Sequence, residues 1–134
     1  INLAVRLNEI QNCKFIIAAS KDDQEIIEEI KKSEIGKNCI SLENLSIQEI
    51  LPIIKNCDLY TGNDTSFMHI SSALGIKCIG IFVDSPAYSY SGYSDNIEAI
   101  VPEGETIEGR THDTLGKDRI SFDEVFRKAK IYLD

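Results

Sequence analysis

Short apolar runs alternate with amphipathic stretches along most of this chain. Phe15 to Ala19, Cys39 to Leu42, Asp58 to Thr61, Cys78 to Val83 and Ile97 to Val101 are too short for helices and read as buried strands. Between them lie helical signals. Ser20 with Asp23, Ser46 with Glu49 and Ser121 with Glu124 have the spacing of capping boxes. Strands that alternate with helices, and are apolar along their whole length, imply a mostly parallel sheet covered on both faces, an α/β three-layer αβα arrangement.

The details follow from the same patterns. Leu3, Leu7 and Ile10 recur at helical spacing, so the chain opens on a helix. A doubly wound domain normally opens on a strand, and the first residue is Ile1, so the expectation is that the first strand of the sheet lies upstream. Ile26, Ile27 and Ile30 form a core stripe, with Gly36 as the helix stop. Leu45 and Ile50 are placed as a hydrophobic staple around Ser46. Pro52, six residues into that helix, predicts a kink or a displaced start, because proline removes a hydrogen bond. Phe67 to Leu74 reads as a short helix closed by Gly75. Residues 84 to 96, rich in Ser and Tyr, read as a surface loop, with a sugar or acceptor cleft lined by Tyr88, Tyr90 and Tyr93 as the rival reading. Residues 102 to 120 show no periodicity, and His112 there has no evident partner. The last helix carries Phe122, Val125, Phe126, Ala129, Tyr132 and Leu133 on one face. At 134 residues the expectation is a single domain over residues 1–134.

Composition narrows the partners. Fourteen basic against 22 acidic residues give a net charge of −8, with no basic stripe. That argues against nucleic acid and anionic membrane surfaces. It leaves room for one small phosphorylated ligand, which a few backbone N–H groups can hold. No apolar run approaches the roughly twenty residues of a transmembrane span. Cys13, Cys39, Cys57 and Cys78 form no C-x-x-C pair, and His69 and His112 are far apart, so neither a metal site nor a cofactor is expected. The cysteines read as reduced thiols and the compartment as cytoplasmic, with the inner face of the membrane as an alternative place of work.

The chemistry concentrates in Asp58-Leu-Tyr-Thr-Gly-Asn-Asp-Thr-Ser-Phe-Met-His69 and the Ile-Ser-Ser-Ala-Leu-Gly75 that follows. The pattern is strand, polar turn, short helix. Ligands of open α/β sheets bind beyond the carboxyl ends of strands. The N–H groups of Thr65, Ser66, Phe67 and Met68 are expected to leave the helix start unpaired, with the positive end of the helix dipole behind them. That makes a diphosphate cradle without a lysine. The plainer reading is that Asp64 or Thr65 only caps the helix. His69 falls in the helix's first turns, as a donor to a phosphate oxygen or as a packed bystander.

As a whole, Asn63-Asp-Thr-Ser-Phe-Met-His-Ile-Ser-Ser-Ala-Leu-Gly75 resembles the turn and helix of the heptosyltransferase-like glycosyltransferases, family nine, which carry Asp-(Ser/Thr)-Gly-x-x-His-x-x-Ala-Ala-Leu. The resemblance runs from about residue 13 to 86. It implies the Rossmann-like C-terminal half of a GT-B glycosyltransferase. In that family this half holds the nucleotide-sugar donor. By resemblance Asp64, Thr65, Ser66, Phe67 and Met68 line the diphosphate and sugar, and His69 stands near the diphosphate. Leu45 packs on the base, adenine in the ADP-sugar enzymes, and an acid near Asp23 reaches the ribose. The chain departs from the family at Ser66, where the family has glycine, and at Val83-Asp84, where it has Gly-Pro. The family's donor-binding lysine and its catalytic aspartate fall in regions upstream of Ile1.

These readings combine into one expectation: the donor-binding domain of a glycosyltransferase. It would move a heptose-like sugar from an ADP-linked donor to lipopolysaccharide or another glycan or lipid-linked acceptor, the acceptor being held by an upstream domain. No catalytic residue is expected in this chain beyond His69 as a leaving-group stabiliser. The rivals are a stand-alone nucleotide- or phosphate-binding module and a sugar-nucleotide epimerase-like domain.

Overall fold

A computed structural model describes residues 1–112 and 116–134, which divide into two compact units, Ile1–Ile50 and Leu51–Asp134. The strands pair in parallel throughout, as the apolar runs require, but they form two sheets, one in each unit.

In the first unit, α1 (Asn2–Ile10) leads to β1 (Phe15–Ile17), α2 (Gln24–Lys32) and β2 (Cys39–Ser41). Strand β1 pairs with β2 from Phe15↔Cys39 to Ile17↔Ser41. The Ser20–Asp23 capping box is present, and it opens a 3-10 turn that runs into α2. The core holds Leu7, Ile27, Ile35 and Leu42. The expected stripe is corrected at Ile26, which is 55% exposed: it neighbours Ile27 in sequence and so stands about 100° around the helix from it. Gly36 does not stop α2. The helix ends at Lys32, with the Ser33 hydroxyl donating to the Ile30 carbonyl at 2.6 Å, and Gly36 starts a separate 3-10 turn. The buried Asn38 amide donates to Asn8 Oδ1 (3.0 Å) and to the Cys13 carbonyl (3.1 Å), which ties α1 to the approach to β2.

Helix α3 (Ile47–Lys55) contains the boundary between the units. Its start is where the sequence puts it: the Ser46 N–H and hydroxyl donate to Glu49 Oε2 at 2.8 and 2.6 Å. Pro52 neither displaces that start nor ends the helix, which continues to Lys55.

In the second unit the order is β3 (Leu59–Asn63), α4 (Ser66–Ala73), β4 (Lys77–Ile81), α5 (Ala87–Ser91), β5 (Ile97–Ile100) and α6 (Phe122–Leu133). The sheet order is β3-β4-β5. One face carries Cys78 and, just past β4, Phe82, which cluster with Met68 of α4, Ala87 of α5 and Ile97. The other face carries Ile79, whose register partner Glu98 bonds Lys128 and Tyr132 of α6. Helices therefore cover both faces of this sheet. Gly80 allows the close seat of α4, since a Cβ there would stand 2.6 Å from Met68 Sδ and 2.8 Å from the Phe82 ring.

Two expected loops have more structure than their sequence suggests. Residues 84 to 96 contain α5, and the Ser91 hydroxyl donates back to the Ala87 carbonyl at 2.6 Å. The described part of 102–120 is held by Glu105, which accepts from buried Arg110 and from Arg119, each at 2.7 Å. Residues 113–115 of that expected loop lie outside the described residues. No helix among the described residues is long and apolar enough to cross a membrane.

Candidate functional site

Strand β3 runs two residues beyond Thr61, through Gly62 and Asn63, and α4 starts three residues later. The polar turn therefore stands at the carboxyl end of a strand and opens a helix. Gly62 makes its local geometry possible. A Cβ there would be 2.8 Å from Tyr60 Oη, so glycine lets the Tyr60 ring fold back over its own strand. Tyr60 Oη donates to the Asn63 carbonyl at 3.0 Å and lies 3.3 Å from Thr65 Oγ1, which donates to it in turn. Burial raises the Tyr60 phenol above its usual range and keeps it a neutral donor.

That contact diverts the one hydroxyl able to cap α4. Thr65 is the N-cap residue, yet its side chain makes no capping bond. Asp64 does not cap either, because its Oδ1 meets His69 Nε2 at 3.0 Å. The N–H groups of Thr65, Ser66 and Phe67 meet no acceptor among the described residues. Met68 departs from expectation. Its N–H donates to the Thr65 carbonyl at 3.0 Å, and its side chain is fully buried in the core, so it offers a ligand neither group. Three free donors thus remain of the four expected, at the end of a helix dipole. Ser66, Thr65 and Asn63 are exposed, and Phe67 is half-buried.

His69 occupies the fourth position of α4, with its side chain 38% exposed against 14% for Asp64. Asp64 Oδ1 accepts from Nε2, which leaves Nδ1 to face the Tyr93 hydroxyl at 2.6 Å. The Tyr93 ring stacks on the imidazole at 5.8 Å and 28°. Tyr90 presents its edge at 6.4 Å. Burial first, with the Asp64 charge among the smaller causes, raises the Tyr93 phenol. His112 has partners after all: its ring meets Tyr90 at 6.4 Å, and Nδ1 donates to the Asp84 carbonyl at 3.3 Å. Tyr60 is the residue that sequence reasoning missed; Tyr93 enters it only as a cleft-lining candidate, without its contact to His69. Tyr90 lies on α5 and Tyr93 just past its Gly92 C-cap, so no helical spacing relates them. Nothing in the sequence indicated that either ring meets His69.

Asp23 and Leu45 belong to the first unit. Asp23 Oδ2 accepts from the Ser20 N–H (2.9 Å) and hydroxyl (2.7 Å), and these bonds hold its carboxyl below the usual range. Its Oδ1 meets no donor among the described residues. Leu45 is 37% exposed and immediately precedes the cap of α3.

The sequence profile of glycosyltransferase family 9 (heptosyltransferase) matches residues 2–117. Lipopolysaccharide heptosyltransferase 1 of Campylobacter coli is 31% identical over 90 residues, which cover 63% of this chain and 26% of that protein. The fold is similar to that of the solved E. coli ADP-heptose lps heptosyltransferase II, with a TM-score of 0.75 at 22% identity, over 98% of this chain and 39% of that one. This chain thus spans about a quarter of its curated relative, and at 22% identity the solved relative speaks for the fold alone. With a family profile matched along most of its length, the chain belongs to glycosyltransferase family 9.

Proposed function

We propose that residues 1–134 are the nucleotide-sugar-binding domain of a longer, two-domain glycosyltransferase, and that the donor is an ADP-linked, heptose-like sugar. The uncapped start of α4 carries this reading. Among the described residues the N–H groups of Thr65, Ser66 and Phe67 meet no acceptor, and the chain belongs to a glycosyltransferase family; transfer from a nucleotide-diphosphate sugar expels a nucleoside diphosphate. Negative charge grows on that leaving group in the transition state. Fixed N–H donors at a helix N-terminus are already oriented to receive it. His69 adds to the charge stabilisation and Asp64 holds its ring. The acceptor is a lipopolysaccharide or other lipid-linked glycan, and the acceptor-binding half of the full-length enzyme supplies the base. A bacterial enzyme of this kind works in the cytoplasm, at the inner face of the membrane.

The test is a binding panel on the full-length protein, with ADP, UDP, GDP and their sugar conjugates compared. ADP and ADP-heptose bind best under this reading. His69→Ala weakens them about 3- to 10-fold, the range of one ordinary hydrogen bond, because it removes the ring that holds the Asp64 carboxylate and the Tyr93 hydroxyl in place. Equal indifference to every nucleotide, or affinity untouched by both His69→Ala and Asp64→Asn, would refute it.

A further inference from the structure

The hydrogen bonds around His69 account for both ring nitrogens. Asp64 is an acceptor at Nε2, so that nitrogen carries a proton. In the neutral ring Nδ1 is then a lone pair, and the Tyr93 hydroxyl, 2.6 Å away, donates into it. An imidazole held this way has no free N–H for a phosphate oxygen. The only way to draw its Nε2 proton to a ligand is to take it from Asp64. The group at the other end of the chain is different. Tyr93 is 61% exposed, and its hydroxyl can both donate and accept.

Resting on the reading of this turn as a diphosphate site, we infer that Tyr93 is a positioning residue through which the site takes up a proton when the diphosphate binds. The negative ligand favours the charged imidazole. One proton enters from solvent at Nδ1, and Nδ1–H then donates to Tyr93 Oη. The phenol's own proton leaves Nδ1 and turns outward toward the anion. No covalent bond to carbon changes, and the count closes at one proton gained. Among the described residues, the titratable groups that face this chain are Asp64 from the β3–α4 turn, Tyr60 from β3, Cys78 from β4, Tyr90 from α5 and, across Tyr90, His112. Asp64 is the one carboxylate among them, and its contact to Nε2 is made in both states of the ring. The Cys78 thiol, pushed up to about 11, stays neutral through the physiological range. The switch is therefore confined to His69 and the hydroxyl that faces Nδ1. The Ser/Tyr-rich stretch after β4 gains a purpose from this: α5 carries Tyr90 to the ring edge, and the turn after it brings Tyr93 onto the ring's face.

The experiment is titration calorimetry of ADP into the full-length protein at neutral pH, in PIPES and in Tris, whose ionisation heats differ widely. Wild type is expected to give a binding heat that depends on the buffer in the sense of proton uptake. Tyr93→Phe is expected to remove most of that dependence and to weaken ADP about 3- to 10-fold, the loss of one hydrogen bond. Tyr88→Phe, equally exposed at 61%, is the control and behaves as wild type. Buffer-dependent heat that survives unchanged in Tyr93→Phe overturns the role of Tyr93 while leaving the diphosphate site standing. Wild-type binding with no buffer dependence likewise overturns this inference alone. Failure of wild type to bind ADP overturns the site and the inference together.

Discussion

Ser66 is one of the two places where the sequence departs from the pattern it resembles, and the structure shows the backbone it adopts there. Ser66 is the first residue of α4, where the backbone is helical. No glycine-only conformation is therefore needed at position 66. Ser66→Gly is expected to fold normally and to bind ADP in the full-length enzyme as tightly as wild type or more so, because a smaller residue lets the phosphate approach the N–H groups closely. A tenfold loss in affinity would instead mean that the serine hydroxyl contacts the ligand. Cys78 supports a second prediction. Burial pushes its thiol up to about 11, above the 9.0 of an unburied thiol. Folding thus favours the protonated form, so this contribution is complete below pH 9 and is lost as pH rises toward 11. The urea midpoint of wild type should fall across that window more steeply than that of Cys78→Ala; parallel curves would remove Cys78 from the alkaline response.

At the scale of elements, local chemistry was legible and lateral contact was not. Ser20–Asp23, Ser46–Glu49 and Ser121 all start helices where their spacing predicts, because a cap is a bond between residues three apart. The stops were harder. Gly36 looked like a helix end, yet the Ser33 hydroxyl had already closed α2 three residues earlier. Pro52 looked disruptive, but the capping bonds of Ser46 and the packing of Ile50 and Ile54 retain the helix. The turn before α4 stands where the sequence puts it, with three of its four expected donors free, but the cause of their freedom is not written in the sequence. Whether Thr65 caps or is diverted depends on Tyr60 folding back over Gly62, which no periodicity encodes. Gly80 was legible only as part of an apolar run, although it sets how closely α4 sits on β4. Gly80→Ala puts a methyl 2.8 Å from the buried Phe82 ring, which has little room to shift. Overpacking of this kind costs about 1–3 kcal/mol. The expected readout is a lower urea midpoint together with weakened ADP binding, since α4 carries the donors. A stability loss with unchanged affinity would show that the α4 start does not depend on this seat.

For the whole molecule, the sequence announced an α/β chain with parallel strands and a familiar turn, and it did so because both are written in short-range patterns. It did not announce that the pairing divides into a two-stranded and a three-stranded sheet, since strand partners are chosen by packing and not by period. Nor did it reveal that a stretch as unpatterned as 102–120 is anchored, in its described part, by a buried arginine on Glu105. The same view of the whole frames the last prediction. Purified residues 1–134 are expected not to transfer sugar from ADP-heptose to any acceptor. Positioning of two reactants contributes roughly 7–11 kcal/mol to a barrier of this kind. The donors found here, the N–H groups of Thr65, Ser66 and Phe67, can hold only one of the two reactants. The curated relative, of which this chain covers 26%, has ample further length to hold the other. Weak ADP binding should nevertheless persist in the isolated chain, because the backbone donors at α4, and the Tyr60 and Gly80 contacts that set them, all lie within it. That binding should fall with added salt, as contacts to a charged ligand do at exposed sites, and it should fall again in His69→Ala. Measurable transfer by residues 1–134 alone would mean that the acceptor site and the base also lie within this chain, and the division of labour proposed for the full-length enzyme would be wrong.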